Sequence, residues 1–340
     1  MGMLVNGRWS DEWYDTASTG GEFERERAQR RDWVVPPGEV DLEGGDSWPA
    51  QSGRYHLYVS LACPWAHRVL IMRRLKGLDN HIGVSVTSPL MLEQGWSYDT
   101  STGSSGDPIN GVEFHHELYT LDDAHYTGRV TVPVLWDKAR GKIVNNESAE
   151  LMRMFNRAFD SLTGNRLDLY PSALAGTIDE LNAWIYDTVN NGVYKSGFAT
   201  EQEVYARHVE ALFETLDTLD ARLEERRYLT GEYLTEADIR LFTTLVRFDA
   251  VYFGHFKCNL RRIADYPQLA PYLRELYQWP GIAQTVDFDH IKRHYYGSHP
   301  SINPNRIVPL GPLLDLDRPH GRDHLPGRGI CIRGEGGGTQ

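Results

Sequence analysis

The 340-residue sequence predicts an α/β unit followed by an all-helical one. Three observations predict this. Up to about residue 165, short runs of β period alternate with runs of helical period, in the order β-α-β and then β-β-α. From Thr177 onward only helical periods occur. Between them lies "DSLTGNRLDLYPSALAG", a Gly- and Pro-bearing stretch without period, which marks a boundary near 160–176. The expected division is an arm over residues 1–50, a first domain over 51–165, a helical domain over 170–313 and a loosely ordered tail over 314–340.

The first 50 residues are rich in Gly, Glu, Arg and Trp and read as an arm lying across a domain. "RYHLYVSLA" alternates and is rich in aromatics, so it is a strand. "CPWAHRVLIMRRLKGL" is a helix. Val69, Met72 and Leu75 share a face, Pro64 suits the first helical position where its missing N–H costs nothing, and Gly77 stops the run. "HIGVSVTS" is a second strand. "GWSYDTSTGSSGDPINGVEF" is too polar and Gly-rich for regular structure, and loops of that length in compact domains are usually lids or binding loops. "RVTVPVLWD" and "GKIVNN" form a strand pair. "ESAELMRMFNRAF" is a helix with Leu151, Phe155 and Phe159 on one face. Beyond the boundary, "TIDELNAWIYDTVNNGVY" is one helix. Glu201 to Arg226 is a longer one, with Val204, His208, Ala211, Thr215, Leu219 and Leu223 in near-heptad order. A third begins in "LTEADIRLFTTLVRFDAVY", where Thr235 and Asp238 have capping-box spacing and Leu234 is placed to staple onto Ile239. After residue 314 the chain is rich in Gly, Pro and His and shows no period.

Composition narrows the function classes. With 41% apolar and 24% charged residues, the chain has the balance of a soluble globular protein. A net charge of −12 argues against a nucleic-acid surface, which needs a concentrated basic face. No signal-like N-terminus and no apolar run near the ~20 residues of a membrane span occur, so no membrane contact is expected. The three cysteines, Cys63, Cys258 and Cys331, cannot build a disulfide framework, which points to a reducing cytoplasm. The 13 histidines show no metal-ligand spacing, and the adjacent His115 and His116 diverge on regular structure, so no metal is expected.

The chemistry gathers in "YHLYVSLACPWAHRVL". Cys63 stands where the first strand turns into the first helix, in the field of unsatisfied N–H groups that favour thiolate. A buried structural cysteine is the commoner role for such a residue; the position makes Cys63 a nucleophile. "CPWA" resembles the C-x-x-C of thioredoxin folds with Ala66 in place of the second cysteine. Without a resolving partner, any mixed disulfide at Cys63 must be released by an external thiol. A depressed pKa adds thiolate but lowers intrinsic nucleophilicity along a Brønsted slope of about 0.45, so attack gains little. The larger gain comes when the sulfur must leave its own mixed disulfide. Cys258, in "FKCNLRRIADYP", reads as structural.

Two further signals follow in order. "TVPVL" places Pro133 inside an apolar strand, where proline is tolerated at an edge or as a cis peptide beside a binding groove. "NNESAEL" opens a helix with Glu147 and Ser148, where a ligand carboxylate would meet backbone N–H groups and a hydroxyl.

Together with "LVNGRWSDEWYDT", "GGEFERERAQRRDWV", "SLACPWAHR", "GRVTVPVLWD", "NNES", "NNGVYKSGFA" and "GEYLTEADIRLFTTLVRFDAVYFGHFKCN", these motifs span residues 4 to 310. Over that span the chain resembles the glutathionyl-hydroquinone reductases, the Xi class of the glutathione transferase superfamily. The tail from about 314, with Cys331, has no counterpart in the resemblance. The resemblance implies a thioredoxin-like N-terminal domain with an all-α C-terminal domain, a homodimer, and glutathione as co-substrate with an aromatic glutathionyl-hydroquinone. It implies Cys63 as nucleophile and Tyr194 as acid/base. Trp96, Arg129, Val130, Thr131, Val132, Glu147 and Ser148 would hold glutathione. Tyr252 and Tyr295 would hydrogen-bond the cysteine sulfur and hold its pKa down, with Tyr296 an alternative to Tyr295.

The implied reaction is a two-step thiol exchange. Cys63 takes the glutathione sulfur and releases hydroquinone, then a second glutathione regenerates the thiol as oxidised glutathione leaves. Two rivals differ in what they ask of Cys63. A conjugating or dehalogenating transferase activates bound glutathione with Ser or Tyr and does not need this thiol. A non-enzymatic glutathione-dependent iron–sulfur carrier would be coloured and contain iron.

Overall fold

A computed structural model describes residues 2–39 and 47–334. Its centre is a four-stranded sheet in the order β11-β10-β5-β6, from Lys142–Asn145 (β11), Val134–Asp137 (β10), Tyr55–Val59 (β5) and Gly83–Val86 (β6). β5 and β6 are parallel and joined over one face by α1 (Pro64–Leu75), while β10 runs antiparallel to both its neighbours. Alternate side chains of these strands feed two cores, as the β period demands. Tyr55, Leu57, Val59 and Leu135 join the main core, under α1 and α3 (Ser148–Arg157). Tyr58, Val134, Trp136 and Ile143 join a smaller one under α2 (His115–Asp122).

α2 begins directly after the stretch expected to be one long loop, over residues given no element by the sequence. It buries His115, Leu118, Tyr119 and Asp122, a clean i, i+3, i+4, i+7 face. Two of those four positions are polar, so the apolar period was invisible. Before it, Met91–Leu92 (β7) and Gly95–Trp96 (β8) form a short hairpin.

The helical part holds α4 (Asp160–Thr163), α5 (Ala175–Ile185), α6 (Gly192–Gly197), α7 (Gln202–Glu225), α8 (Glu236–Arg247), α9 (Leu269–Gln278) and α10 (Phe288–Ser298). The single helix expected over "TIDELNAWIYDTVNNGVY" is α5 and α6 separated by a π turn at Tyr186–Asn190, and a second π turn at Phe248–Tyr252 follows α8. π turns rotate the face presented after them and concentrate at functional sites. Here they precede Tyr194 and carry Tyr252.

α8 is buried along its whole length and opens on the expected capping box. The buried Asp238 carboxylate accepts from the Thr235 N–H (2.8 Å) and hydroxyl (3.1 Å), the Leu229 N–H (2.9 Å) and the Tyr272 hydroxyl (2.7 Å). Burial nonetheless pushes its pKa up. Thr235→Ala is expected to cost about 1 kcal/mol of stability, read as a lower urea midpoint.

The arm is more regular than expected. Met3–Val5 (β1) and Arg8–Ser10 (β2) form a hairpin, and β1 pairs with Gly128–Arg129 (β9) beside the predicted glutathione loop. The turn is Asn6-Gly7, both at positive φ, and a Cβ on Gly7 would lie 2.0 Å from the Ala124 carbonyl oxygen. Trp33–Val35 (β3) pairs parallel with Ser47–Pro49 (β4).

Within the described part of the tail, two points are tied to the helical part. Arg322 is 2% exposed and bonds the Glu275 carboxylate and the carbonyls of Leu223, Arg226 and Arg227. Cys331–Ile332 (β13) pairs with Leu167–Asp168 (β12). Order here comes from one buried arginine and a strand partner, which leave no periodic trace. Residues 335–340 of the predicted tail, like residues 1 and 40–46 of the arm, lie outside the described residues.

Candidate active site

β5 ends at Val59, and the turn through Ser60 and Ala62 delivers Cys63 as the N-cap of α1, with Pro64 at the first helical position. Arg247 of α8, fully buried, clamps this turn from the helical side. It donates to the carbonyls of Leu61 (3.0 Å), Ala62 (2.8 Å) and Thr243 (2.7 Å) and to Nδ1 of His67 (2.9 Å). A guanidinium only donates, so His67 carries its proton on Nε2, facing the Thr285 hydroxyl at 2.8 Å.

Cys63 is half-buried, and its Sγ lies 3.7 Å from the Val132 carbonyl oxygen across the groove. The expected depression of its pKa is reversed here. Burial pushes the thiol up, against the Ala66 N–H, Arg247, the Trp65 N–H and Arg25, which all favour the thiolate. The helix mouth acts as predicted, but desolvation outweighs it.

The Val132–Pro133 peptide is cis, and Pro133 directly precedes β10 rather than lying inside it. Arg129, Thr131, Val132, Pro133, Glu147 and Ser148 line one solvent-open groove. Glu147 is the N-cap of α3 and accepts from the Ala149 N–H at 3.0 Å, while Ser148 begins the helix. Val130 departs from its expected place. It packs into the smaller core with Leu4 and Tyr58, because adjacent residues of an extended chain face opposite ways.

A second, more apolar cavity adjoins the groove. Cys63, Trp65, Trp96, Tyr194, Phe198 and Tyr295 are among its walls. The indole N–H groups of Trp65 and Trp96 are buried without hydrogen-bond partners among the described residues. Tyr194 and Tyr295 share a 2.5 Å hydroxyl–hydroxyl hydrogen bond, and Tyr252 reaches Tyr295 at 3.0 Å. The expected bonds from Tyr252 and Tyr295 to the sulfur are therefore replaced by phenol-to-phenol bonds. Burial pushes all three phenols up, so they stand as proton donors. Tyr296 turns away and donates to the Ala250 carbonyl at 3.2 Å. Cys258 is buried, with its thiol pushed up to about 12 by desolvation, as suits a structural residue. Cys331 sits in the tail ladder opposite Asp168.

Three contributors escaped the sequence reading. Arg25, from the arm, lies over the rings of Trp65 (5.0 Å) and Tyr194 (5.1 Å) and borders both cavities. It lies in "GGEFERERAQRRDWV", one of the motifs of the resemblance, but within a run of charges that gives no single arginine a role. His115 and Tyr119, on the unrecognised α2, each donate to the Thr131 carbonyl at 2.9 Å and so hold the loop before Pro133. Among the described residues, no group of three or more His, Cys, Asp or Glu is arranged to hold a metal ion.

The chain is also similar to known proteins along most of its length. Residues 62–158 match the family model of the glutathione S-transferase N-terminal domain, and residues 202–275 that of the C-terminal domain. The chain is 59% identical to glutathionyl-hydroquinone reductase YqjG of Escherichia coli strain K12, over 95% of this chain and 99% of that one. It is 52% identical to glutathionyl-hydroquinone reductase PcpF of Sphingobium chlorophenolicum, over 93% and 98%. Among solved structures, it is similar to glutathione-bound YqjG, a glutathione transferase homolog of Escherichia coli K-12, with a TM-score of 0.87 and 55% identity over 95% of this chain and 99% of that one. A Xi class transferase from Natrialba magadii gives a TM-score of 0.87 at 47% identity, over 96% and 98%. The chain belongs to the glutathionyl-hydroquinone reductases, the Xi class of the glutathione transferase superfamily.

Proposed function

We propose that this protein reduces aromatic glutathionyl-hydroquinones to hydroquinones, with glutathione as co-substrate and Cys63 as the atom that changes partners. The observation that carries this reading is the position of Cys63: it lines the aromatic cavity 3.7 Å from the carbonyl of Val132, which also borders the polar groove, with no second cysteine in its motif. The glutathione moiety lies in the groove along Thr131 and Val132, its γ-glutamyl end at Glu147 and Ser148. The ring lies in the aromatic cavity. The Cys63 thiolate attacks the glutathione sulfur, the carbon–sulfur bond breaks, and Tyr194 supplies the proton that the ring carbon takes up. Sulfur is oxidised to the mixed disulfide as carbon is reduced from C–S to C–H. A second glutathione gives up its thiol proton, attacks the mixed disulfide and leaves as oxidised glutathione.

Single-turnover mass spectrometry tests the reading: Cys63 gains one glutathione as one hydroquinone is released. A protein that turns over the conjugate without ever carrying glutathione on Cys63 would refute it. For the groove, Ser148→Ala is expected to raise the KM for glutathione about tenfold with kcat nearly unchanged, since a hydrogen bond to a charged ligand is worth about 1.5 kcal/mol or more.

The cycle consumes reduced glutathione, so we place the protein in the reducing cytoplasm, away from nucleic acid and membrane surfaces. Among the described residues, no helix is long and apolar enough to cross a membrane. We propose a homodimer. Supporting it, Ile307, Leu310 and Leu313 form an exposed apolar stretch, the two leucines 96% exposed, of the kind a partner subunit covers. Sedimentation of a Leu310→Asp, Leu313→Asp double variant as a monomer is the expected result.

A further inference from the structure

His294 belongs to α10 and is buried in the wall of the aromatic cavity, next to Tyr295, whose ring centroid lies 5.1 Å away. Its ring is fixed from two sides. It stacks on Trp96 at 4.6 Å and 26°, and its Nδ1 meets the Pro89 carbonyl oxygen at 3.0 Å, with the Ser298 hydroxyl at 3.3 Å. A carbonyl can only accept, so Nδ1 carries the proton and Nε2 carries the lone pair. That Nε2 has no hydrogen-bond partner among the described residues, and the ring lines the same cavity as Cys63 and Tyr194. Desolvation lowers the His294 pKa to about 3, so the imidazole stays neutral and an acceptor through the physiological range. The neighbouring His299 is less defined: it pairs with His255 at 3.1 Å, and either ring can carry the shared proton.

Among the described residues of the wall, His294 offers the acceptor nitrogen whose lone pair its own partners fix. The phenols of Tyr194 and Tyr295 are engaged with each other, and the indole N–H of Trp96 can only donate. A hydroquinone brings two hydroxyls at opposite ends of its ring. The one beside the carbon–sulfur bond lies at the reacting end, toward Cys63 and Tyr194. The other must be desolvated on entry, and without an acceptor its burial would be costly.

We propose that Nε2 of His294 accepts a hydrogen bond from the ring hydroxyl remote from the carbon–sulfur bond, making it the residue that selects hydroquinone conjugates over simple phenol conjugates. This rests on the reductase reading above. His294 touches substrate in this role and takes no part in sulfur transfer.

The test is a cycle that pairs a change in the protein with a change in the substrate. kcat/KM is measured for a glutathionyl-hydroquinone and for the glutathionyl-phenol lacking the remote hydroxyl, with wild type, His294→Asn and His294→Gln. Asn keeps an amide near the Nδ1 position and removes the acceptor at Nε2, whereas Gln places an amide near Nε2. Both lose the stack on Trp96, so losses from packing or weaker glutathione binding cancel in the ratio. The wild-type preference for the hydroquinone conjugate is expected to fall by about 5- to 10-fold in His294→Asn, the size of one hydrogen bond, and to return in part in His294→Gln. An unchanged ratio in His294→Asn, with wild type active on the hydroquinone conjugate, overturns the role of His294 alone. A wild-type protein inactive on both conjugates overturns the reductase reading and this inference with it.

Discussion

Cys63→Ser is expected to bring hydroquinone release down to the uncatalysed background, a loss of about 10³-fold or more in kcat/KM. The substitution is nearly isosteric, so the helix cap and the groove survive it. What disappears is the ability to bond to the sulfur of glutathione. A serine hydroxyl is scarcely ionised at neutral pH and is a poor nucleophile toward divalent sulfur. A reaction that proceeds by sulfur-to-sulfur transfer has no detour through it. The pH dependence separates this mechanism from one in which bound glutathione is the nucleophile. Burial pushes the Cys63 thiol above the ordinary value, so its thiolate fraction rises with pH through an alkaline midpoint. Alkylation of the ligand-free protein by iodoacetamide is expected to follow that limb, at Cys63 and not in Cys63→Ser. Robust release by the serine variant would sink the mixed disulfide. A raised pKa also shifts the balance between the two half-reactions. A more basic thiolate attacks better and leaves worse, so discharge of the mixed disulfide by the second glutathione is expected to limit turnover when glutathione is scarce.

The parts of this fold that were legible in the sequence share one physical feature: their signal is local. The turn from β5 into α1 shows as strand period, Cys-Pro and helical period within twenty residues. The Thr235–Asp238 cap shows in four. The hairpin of β1 and β2 was missed although Asn6-Gly7 is a local turn signal, because the polar composition around it obscured the pairing. What remained hidden depends on partners distant in the chain. α2 buries a histidine and an aspartate because Thr131 and Ile143 supply their partners. The tail is ordered because Glu275 waits for Arg322. Arg25 reaches the site because the arm crosses it, which no periodicity reports. The residues that line the groove and the cavity were recoverable where a motif carried them. Val130 shows the limit of that route, since the motif runs continuously through a segment in which its side chain packs into the smaller core while Thr131 and Val132 line the groove.

Arg247 should prove the residue outside direct substrate contact on which the site most depends. Replacing it with methionine keeps the volume of the stem and removes every donor. Two effects then oppose each other. Removing a fully buried guanidinium relieves a desolvation cost. Against that, the carbonyls of Leu61, Ala62 and Thr243 and the Nδ1 of His67 stay buried and lose their partner, each at a cost of about 1–3 kcal/mol. Water can reach some of these groups only by opening the seam between the sheet unit and α8, so the loss wins. Arg247→Met is expected to lower stability by about 2–4 kcal/mol, measured by urea unfolding. The same change acts on the chemistry. Arg247 is one of the groups that favour the Cys63 thiolate, so without it the thiol moves further up and the alkaline limb of the alkylation and rate profiles shifts to higher pH. Arg247→Lys divides the two roles. An ammonium restores a positive charge near the sulfur but cannot span four acceptors with the geometry of a guanidinium fork. The lysine variant should therefore recover much of the pH profile and little of the stability. If both variants lose stability but neither moves the pH limb, Arg247 is a structural clamp alone, and the thiolate owes its existence to the helix mouth and Arg25.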